Sequence, residues 1–155
     1  MININEWAQY IHKLAMENVW IKHDVMVVDV VHLKDKIKEL NLQDHYPLLV
    51  GVIPSSSSGS MDEDNISEME SCMLLVLTPI ERNFDSDIEV ENFSITQQAL
   101  TEIKRTIRQD YFNCEEVPLL RDVKFKSFST DPEWNILGLM GWSFRFDMET
   151  DEFMQ

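Results

Sequence analysis

The sequence predicts an α+β domain built around a mostly antiparallel sheet of about four to five strands. The main observation is the segment from Met140 to Met148, where every even position is large and apolar and the odd positions read Gly, Ser, Arg and Asp. Because successive side chains of a strand point to opposite faces, this strand buries one face and exposes the other to water. Sheets with one wet face are usually antiparallel. Two amphipathic helical segments and several short apolar runs supply the other elements.

Composition places the chain among single-domain globular proteins. It has 155 residues, of which 44% are apolar and 26% are charged, and this length predicts one domain over residues 1–155. Thirteen Lys and Arg residues against 28 Asp and Glu residues give a net charge of −15. Phosphate backbones repel such a chain, so specific DNA binding is not expected, although an acidic passage would let DNA slide through.

The sequence also indicates the cellular compartment in which the chain is made and folded. No stretch approaches the length of a membrane span. The first residues lack the basic start and apolar run of a signal peptide. The two cysteines, Cys72 and Cys114, are far apart and are expected to be reduced thiols. We therefore expect synthesis and folding in a cytoplasm.

Two segments near the N-terminus have different signatures. From Asn3 to about Lys22, apolar residues recur at spacings of three and four, which predicts an amphipathic helix capped by Asn3 or Asn5. From Asp24 to Leu40, valines are followed by apolar residues at helical spacing. This order predicts a short extended piece and then a helical turn or two.

The middle of the chain contains two apolar runs separated by a polar segment. Tyr46–Pro54 predicts a strand at an edge of the sheet, or one with prolines at its ends, because proline cannot donate to a ladder. The serine-rich and acidic stretch that follows predicts a flexible acidic loop over about residues 55–68. The continuous apolar run Cys72–Leu77 predicts a central strand within Met69–Thr78 that is covered on both faces.

The second half of the chain predicts a helix followed by two strands. Ser94 and Gln97 have the spacing of a capping box, so we expect them to open the helix. An apolar stripe of this helix contains Ala99, Leu100, Ile103, Ile107 and Tyr111. Arg121–Thr130 is typical of a strand, and Asp131–Asn135 of the turn into the final strand.

The residues that could carry chemistry form no recognisable catalytic or metal-binding pattern. The four histidines lack the close helical spacing of a zinc motif. Asp62, Asp64 and Glu68 lack the glycine and the closing acid of a calcium loop. The chain has neither a Gly-x-Ser-x-Gly turn nor a phosphate-binding glycine loop. We therefore expect no enzymatic activity, no cofactor and no metal.

The remaining candidate residues are better explained as contacts between copies of the chain. Tryptophan is enriched at interface hot spots, and Trp134, in a polar turn, is the best candidate, with core packing as the alternative for tryptophans. Lys104, Arg105 and Arg108 are predicted either to pair with the acidic loops of a neighbouring copy or to form a solvated helix face. The acidic candidates for such contacts are Asp62, Glu63 and Asp64.

Three features resemble a known group of phage proteins. They are the order of elements, the phrase Tyr46-Pro47-Leu48-Leu49 after an N-terminal helix, and the ending from Asn135 to Phe144, which contains Gly141-Trp142. In these features the chain resembles the small neck and tail-terminator proteins of tailed bacteriophages, especially phages that infect Bacteroidetes. The resemblance implies a compact α+β subunit with two helices packed on one face of the sheet. It also implies a ring of copies that closes the tail tube or joins it to the head.

The resemblance and the residues lead to one expected function and one alternative. The expected function is a structural virion protein of the tail end or neck, made in the bacterial cytoplasm. It would contact its own copies and neighbouring tail-tube or neck proteins, bind no membrane, and let DNA pass without specific binding. The alternative is an acidic cytoplasmic adaptor or immunity-type protein that neutralises a basic partner.

Overall fold

The chain folds into three α-helices and one five-stranded sheet over the residues that the computed structural model describes, which are 1–58, 67–81 and 86–151. The helices are α1 (Ile4–Met16), α2 (Val30–Ile37) and α3 (Ser86–Phe112). The strands are β1 (His23–Val27), β2 (Leu48–Ser58), β3 (Ser67–Pro79), β4 (Val123–Ile136) and β5 (Leu139–Asp151). A short 3-10 helix, Pro118–Leu120, lies between α3 and β4.

The sheet is mixed but mostly antiparallel. Its strand order is β1-β2-β3-β5-β4, so β1 and β4 form the two edges. The strands β1 and β2 are parallel, whereas every other neighbouring pair is antiparallel. A parallel pair needs a crossover connection, and α2 lies in the connection between β1 and β2. The predicted α+β class with a mostly antiparallel sheet is confirmed.

Two apolar clusters meet at β3. Leu74 and Val76 belong to the cluster that contains the buried residues of α1 and α3. Leu75 and Leu77 belong to a second cluster, which includes Leu33 of α2. Because adjacent strand residues point to opposite faces, β3 is covered on both sides, as its apolar run predicted. The resemblance implied two helices on one face, and the structure adds α2, which packs into the second cluster.

The first helix and the segment after it agree with their sequence signals. Asn3 caps α1, since its Oδ1 accepts a hydrogen bond from the Glu6 backbone N–H at 3.2 Å. The segment from Asp24 to Leu40 contains most of β1 and then α2, as predicted. Asp29 caps α2 by accepting from the His32 backbone N–H at 2.9 Å.

The turn after α1 is fixed by a buried asparagine. The helix ends at Met16, earlier than the predicted end near Lys22. Asn18 Nδ2 donates to the Ala99 carbonyl of α3 at 2.9 Å, and Asn18 Oδ1 accepts from the Trp20 backbone N–H at 2.9 Å. The chain leaves α1 in a turn attached to α3 instead of continuing as a helix.

Strand β2 differs from its prediction in two ways. It lies inside the sheet, between β1 and β3, so the edge alternative is wrong, although Pro47 does lie just before the strand as the other alternative predicted. It also includes the serines predicted to be a flexible loop, since Ser55–Ser58 pair with β3. Pro54 falls where the register shifts between Val52 and Ser55, so its missing N–H interrupts no regular ladder. At its other end the predicted loop overlaps Ser67 and Glu68, which belong to β3, and residues 59–66 lie outside the described residues.

Helix α3 begins earlier than the sequence predicted. The capping box predicted at Ser94 does not open it, because the helix already begins at Ser86. Ser94 lies inside the helix, where its Oγ accepts from Gln98 Nε2 at 3.4 Å. Trp142 of β5 anchors the earlier turns, since its Nε1 donates to the Phe93 carbonyl at 3.0 Å. Most of the predicted apolar stripe is buried, at Ala99, Leu100, Ile103 and Ile107.

The last two strands meet at a different turn from the predicted one. Asp131–Asn135, expected to form a turn, belongs to β4. The chain reverses at Leu137 and Gly138, which have φ of 55° and 80°. Gly141 has φ of 153° and lies so close to β3 that a Cβ there would overlap the Val76 carbonyl oxygen. In β5 the even positions Met140, Phe144, Phe146 and Met148 are buried as predicted, but the other face is not exposed throughout, because Ser143 is also buried.

Strand β4 is an irregular edge strand. Its pairing with β5 shifts register between Lys124 and Ser129 and again between Glu133 and Ile136. Pro132 lies between these two breaks and has no backbone N–H to donate. Register breaks, prolines and charged residues are features by which proteins protect the edges of their sheets.

Candidate interaction surface

Two basic residues of α3 are held against the sheet by β4 and β5. Lys104 Nζ donates to Thr130 Oγ1 at 3.1 Å and lies 5.6 Å from the centre of the Phe144 ring. The Arg108 guanidinium lies 5.8 Å from the centre of the Phe128 ring. At these distances cations are attracted to the faces of aromatic rings. The aromatic rings therefore help to fix where both positive charges lie.

These residues line an open groove together with a third basic residue, Arg105. The groove has a volume of about 350 Å³, and its other lining residues are Thr101, Gln109 and Phe112. Arg105 Nη1 pairs with Glu102 Oε1 at 2.7 Å, but both side chains are well exposed, so water screens this pair. The Phe112 side chain is 78% exposed. A groove with three cations and an exposed aromatic ring suits an acidic protein surface.

The structure places Trp134 in β4 and not in a turn. Because β4 is an edge strand, Trp134 lies at the edge of the sheet. Its side chain is 48% exposed, and the partly exposed Leu137 is nearby in the chain. Asp62, Glu63 and Asp64 lie outside the described residues. The structure brings the three basic residues together in one groove, while their pairing with those acids stays a prediction.

A second exposed apolar patch adjoins the other edge of the sheet, where β1 ends. Val28, Val30 and Val31 are all exposed, and Val31 is 71% exposed. The sequence assigned these valines to an extended piece, because β-branched residues favour strands. The missed signal is Asp29, a capping residue that starts α2 at Val30 and so ends the strand early.

The histidines take local structural roles in the described residues. His32 Nδ1 accepts from the Val28 backbone N–H at 3.1 Å, and His45 Nδ1 accepts from the Asn41 backbone N–H at 2.9 Å. His12 is exposed and contacts a carboxylate of β1. Among residues 1–58, 67–81 and 86–151, no group of three or more His, Cys, Asp or Glu side chains is placed to hold a metal.

Two buried titratable groups keep their protons at neutral pH. Burial raises the pKa of the Cys72 thiol, and the negative charges of Glu70 and Asp147 raise it further. Burial also raises the pKa of Tyr10, and its hydrogen bond to Asp110 adds to the shift. A thiol of this kind makes a poor nucleophile, because the thiolate is the reactive form.

In the described part of the chain no helix is long and apolar enough to cross a membrane. A comparison of the chain with models of known protein families finds no match, and a comparison with curated protein sequences finds none either.

Proposed function

We propose that the protein is a structural virion protein of a tailed phage, which forms a ring at the tail end or at the head–tail neck. The resemblance of its short sequence features to neck and tail-terminator proteins supports this proposal, as does its α+β fold. The observation that carries it is the pair of different apolar patches at the two edges of the sheet. These are Trp134 with Leu137 at the β4 edge, and the three valines at the β1 edge.

Two different patches at opposite edges favour head-to-tail assembly. A contact between unlike surfaces leaves one free patch on each end of a dimer, so further copies add until the ring closes. A symmetric dimer would instead use one patch twice. Exposed large apolar residues in clusters commonly mark protein–protein contacts. We propose that the β4 edge of one copy docks on the β1 edge of the next.

The charge of the subunit suits a passage for DNA. With a net charge of −15, a ring of copies repels phosphate backbones and lets DNA move through without adsorbing. The partners in this proposal are other copies of the chain and the neighbouring tail-tube or neck proteins. Its location in the virion and the absence of enzymatic activity belong to the same proposal.

Patch variants test the ring directly. We expect Trp134→Asp and Val31→Asp each to abolish rings seen by negative-stain electron microscopy and by mass measurement, with or without tail tubes. An equimolar mixture of the two variants keeps one intact contact, so it should give heterodimers and no rings. Val19→Asp is the matched control, because Val19 is 90% exposed and lies on the turn after α1, away from both patches in the sequence.

Two results would contradict the ring. One is a wild-type chain that stays monomeric even with tail tubes present. The other is unchanged assembly in both patch variants. A monomer that forms a one-to-one complex with a basic protein, weakened by salt, would instead support the acidic adaptor.

A further inference from the structure

The outer face of α3 carries a regular stripe of polar residues and one aromatic residue. Its members alternate at spacings of four and three, so they lie in one line along the helix. They are Asp87, Glu91, Ser94, Gln98, Thr101, Arg105, Arg108 and Phe112, and every one is exposed or half-buried. The acids stand at the N-terminal end of the stripe, the uncharged polar residues in the middle, and the arginines near the C-terminal end.

The opposite charges on this stripe are too far apart to pair within one chain. Glu91 and Arg108 are separated by about 25 Å along the rigid helix, at 1.5 Å per residue. That distance exceeds the screening length of about 8 Å at physiological salt. Within the described residues, Arg108 forms no ion pair, and its guanidinium is directed by the Phe128 ring. The stripe therefore carries two separate, complementary charges on its surface.

The order of the stripe is complementary to itself when it is reversed. In an antiparallel pair of α3 helices centred between Gln98 and Thr101, Glu91 lies opposite Arg108 of the second copy. The same register sets Ser94 opposite Arg105, and Gln98 opposite Thr101. A parallel pair would place acid against acid and arginine against arginine, which is unfavourable.

We propose that two copies of this chain associate through α3, antiparallel and related by a two-fold axis between Gln98 and Thr101. Gln98 and Thr101 lie beside the axis and Ser94 lies about 8 Å from it along the helix, so no bulky residue stops two helices from packing at the usual distance of about 8–10 Å. At each end, the same register sets Phe112 of one copy opposite Asp87 of the other, near the first turns, where Val90 is also exposed. The attraction in this contact therefore comes from the pair of Glu91 and Arg108, which occurs twice.

This contact does not depend on the proposed ring. It uses the outer face of α3, whereas the ring uses Trp134 and Val31 at the sheet edges. Subunits that formed both contacts would join two rings face to face, because a two-fold axis relates the paired copies. To separate the two assemblies, the test uses a Val31→Asp/Trp134→Asp background, which removes the ring contacts.

Charge exchange tests the pairing. In that background we expect Arg108→Glu and Glu91→Arg each to weaken the dimer, measured by sedimentation equilibrium, by about tenfold or more. The combined Glu91→Arg/Arg108→Glu chain should recover the dimer, because both ion pairs re-form with reversed sign. Arg121→Glu changes the net charge by the same amount as Arg108→Glu, on an exposed residue outside α3, and should leave the dimer unchanged.

Cross-linking tests the direction of the helices. In a Cys114→Ser background, Thr101→Cys lies near the axis and should cross-link to its own copy with a short bis-maleimide. Ser94→Cys leaves the ion pair intact but lies about 17 Å from its copy along the helix, so it should not cross-link. Cross-linking of Ser94→Cys but not of Thr101→Cys, failure of the charge exchange to restore the dimer, or a monomer at every concentration would each overturn the proposal.

Discussion

Single residues determine how closely the strands of this sheet pack. Gly141 combines a φ of 153° with a backbone that approaches the Val76 carbonyl oxygen, so a side chain there meets both strain and overlap. Gly138 has a φ of 80°, but no atom lies within 4 Å of a Cβ placed on it. The two glycines therefore separate the cost of backbone strain from the cost of a steric clash.

We predict that Gly141→Ala is much more destabilising than Gly138→Ala. The cost at Gly138 is the strain of a left-handed residue, about 1 kcal/mol. The cost at Gly141 should reach about 3 kcal/mol or more, because β3 and β5 must also separate. Urea denaturation of both variants measures the two values. Equal losses would show that β5 is not held against β3 at Gly141.

Because Tyr10 is buried, the free energy of unfolding should depend on pH in the alkaline range. Its pKa is raised in the folded protein, so the unfolded chain releases this proton first, at about pH 10. Above that pH the folded state binds more protons than the unfolded state, and the free energy of unfolding falls by up to about 1.4 kcal/mol per pH unit. The stabilising effect is complete below pH 10 and is lost as pH rises.

We predict that Tyr10→Phe is less stable than wild type by about 1 kcal/mol near neutral pH, because it loses the hydrogen bond to Asp110 at 2.9 Å. The difference should shrink above about pH 10, since phenylalanine has no proton to lose. Urea denaturation across the alkaline range measures both curves. A difference that stays constant with pH would contradict the argument.

At the scale of elements, Asn18 joins the turn after α1 to α3. Its side chain is buried and makes hydrogen bonds to the Ala99 carbonyl and the Trp20 N–H. We predict that Asn18→Ala lowers the free energy of unfolding by about 1–3 kcal/mol, since a buried hydrogen-bonded group is lost. Asn41→Ala is the control, because Asn41 is exposed and its hydrogen bonds are local; it should cost much less. Equal effects would indicate that the turn is not attached to α3.

The elements that the sequence predicted best are those with a one-sided pattern. The alternation of β5 from Phe144 to Met148 and the apolar stripe of α3 each follow from burial on a single face, which a periodic sequence records. The predicted start of α3 was wrong, because Trp142 of β5 donates a hydrogen bond to the Phe93 carbonyl and anchors the earlier turns. A local capping rule at Ser94 cannot detect such a contact between distant residues.

The errors in β2 and β4 have a related cause. Prolines were read as limits of strands, yet Pro54 and Pro132 lie inside strands at or between register shifts. Where such a register shift is tolerated depends on the neighbouring strand, and the sequence alone does not show which strands are neighbours. The same holds for the candidate surface, where the sequence supplied Lys104, Arg105 and Arg108. Helical spacing already sets Phe112 beside them, but only the fold shows that Lys104 and Arg108 lie over the rings of Phe144 and Phe128.

For the whole molecule, salt should affect the two proposed contacts to different degrees, although the net charge of −15 repels the copies in both. Salt screens this repulsion, so rings held by apolar patches should be favoured as ionic strength rises. The two-fold contact gains from the same screening but also loses the attraction of its ion pairs, so it should strengthen less than the ring. Mass photometry between about 0.05 and 0.5 M salt measures both. Equal strengthening of both assemblies would contradict a role for the ion pairs.

The interrupted backbone pairing of β4 affects how copies of the chain behave at high local concentration. An open sheet edge can template the growth of fibrils, but Pro132 and the two register shifts deny an incoming strand a continuous row of donors and acceptors. Many copies can therefore be concentrated in one place without fusing their sheets. The side chains at the β4 edge then determine which partner binds there. A few substitutions can change those side chains without changing the backbone.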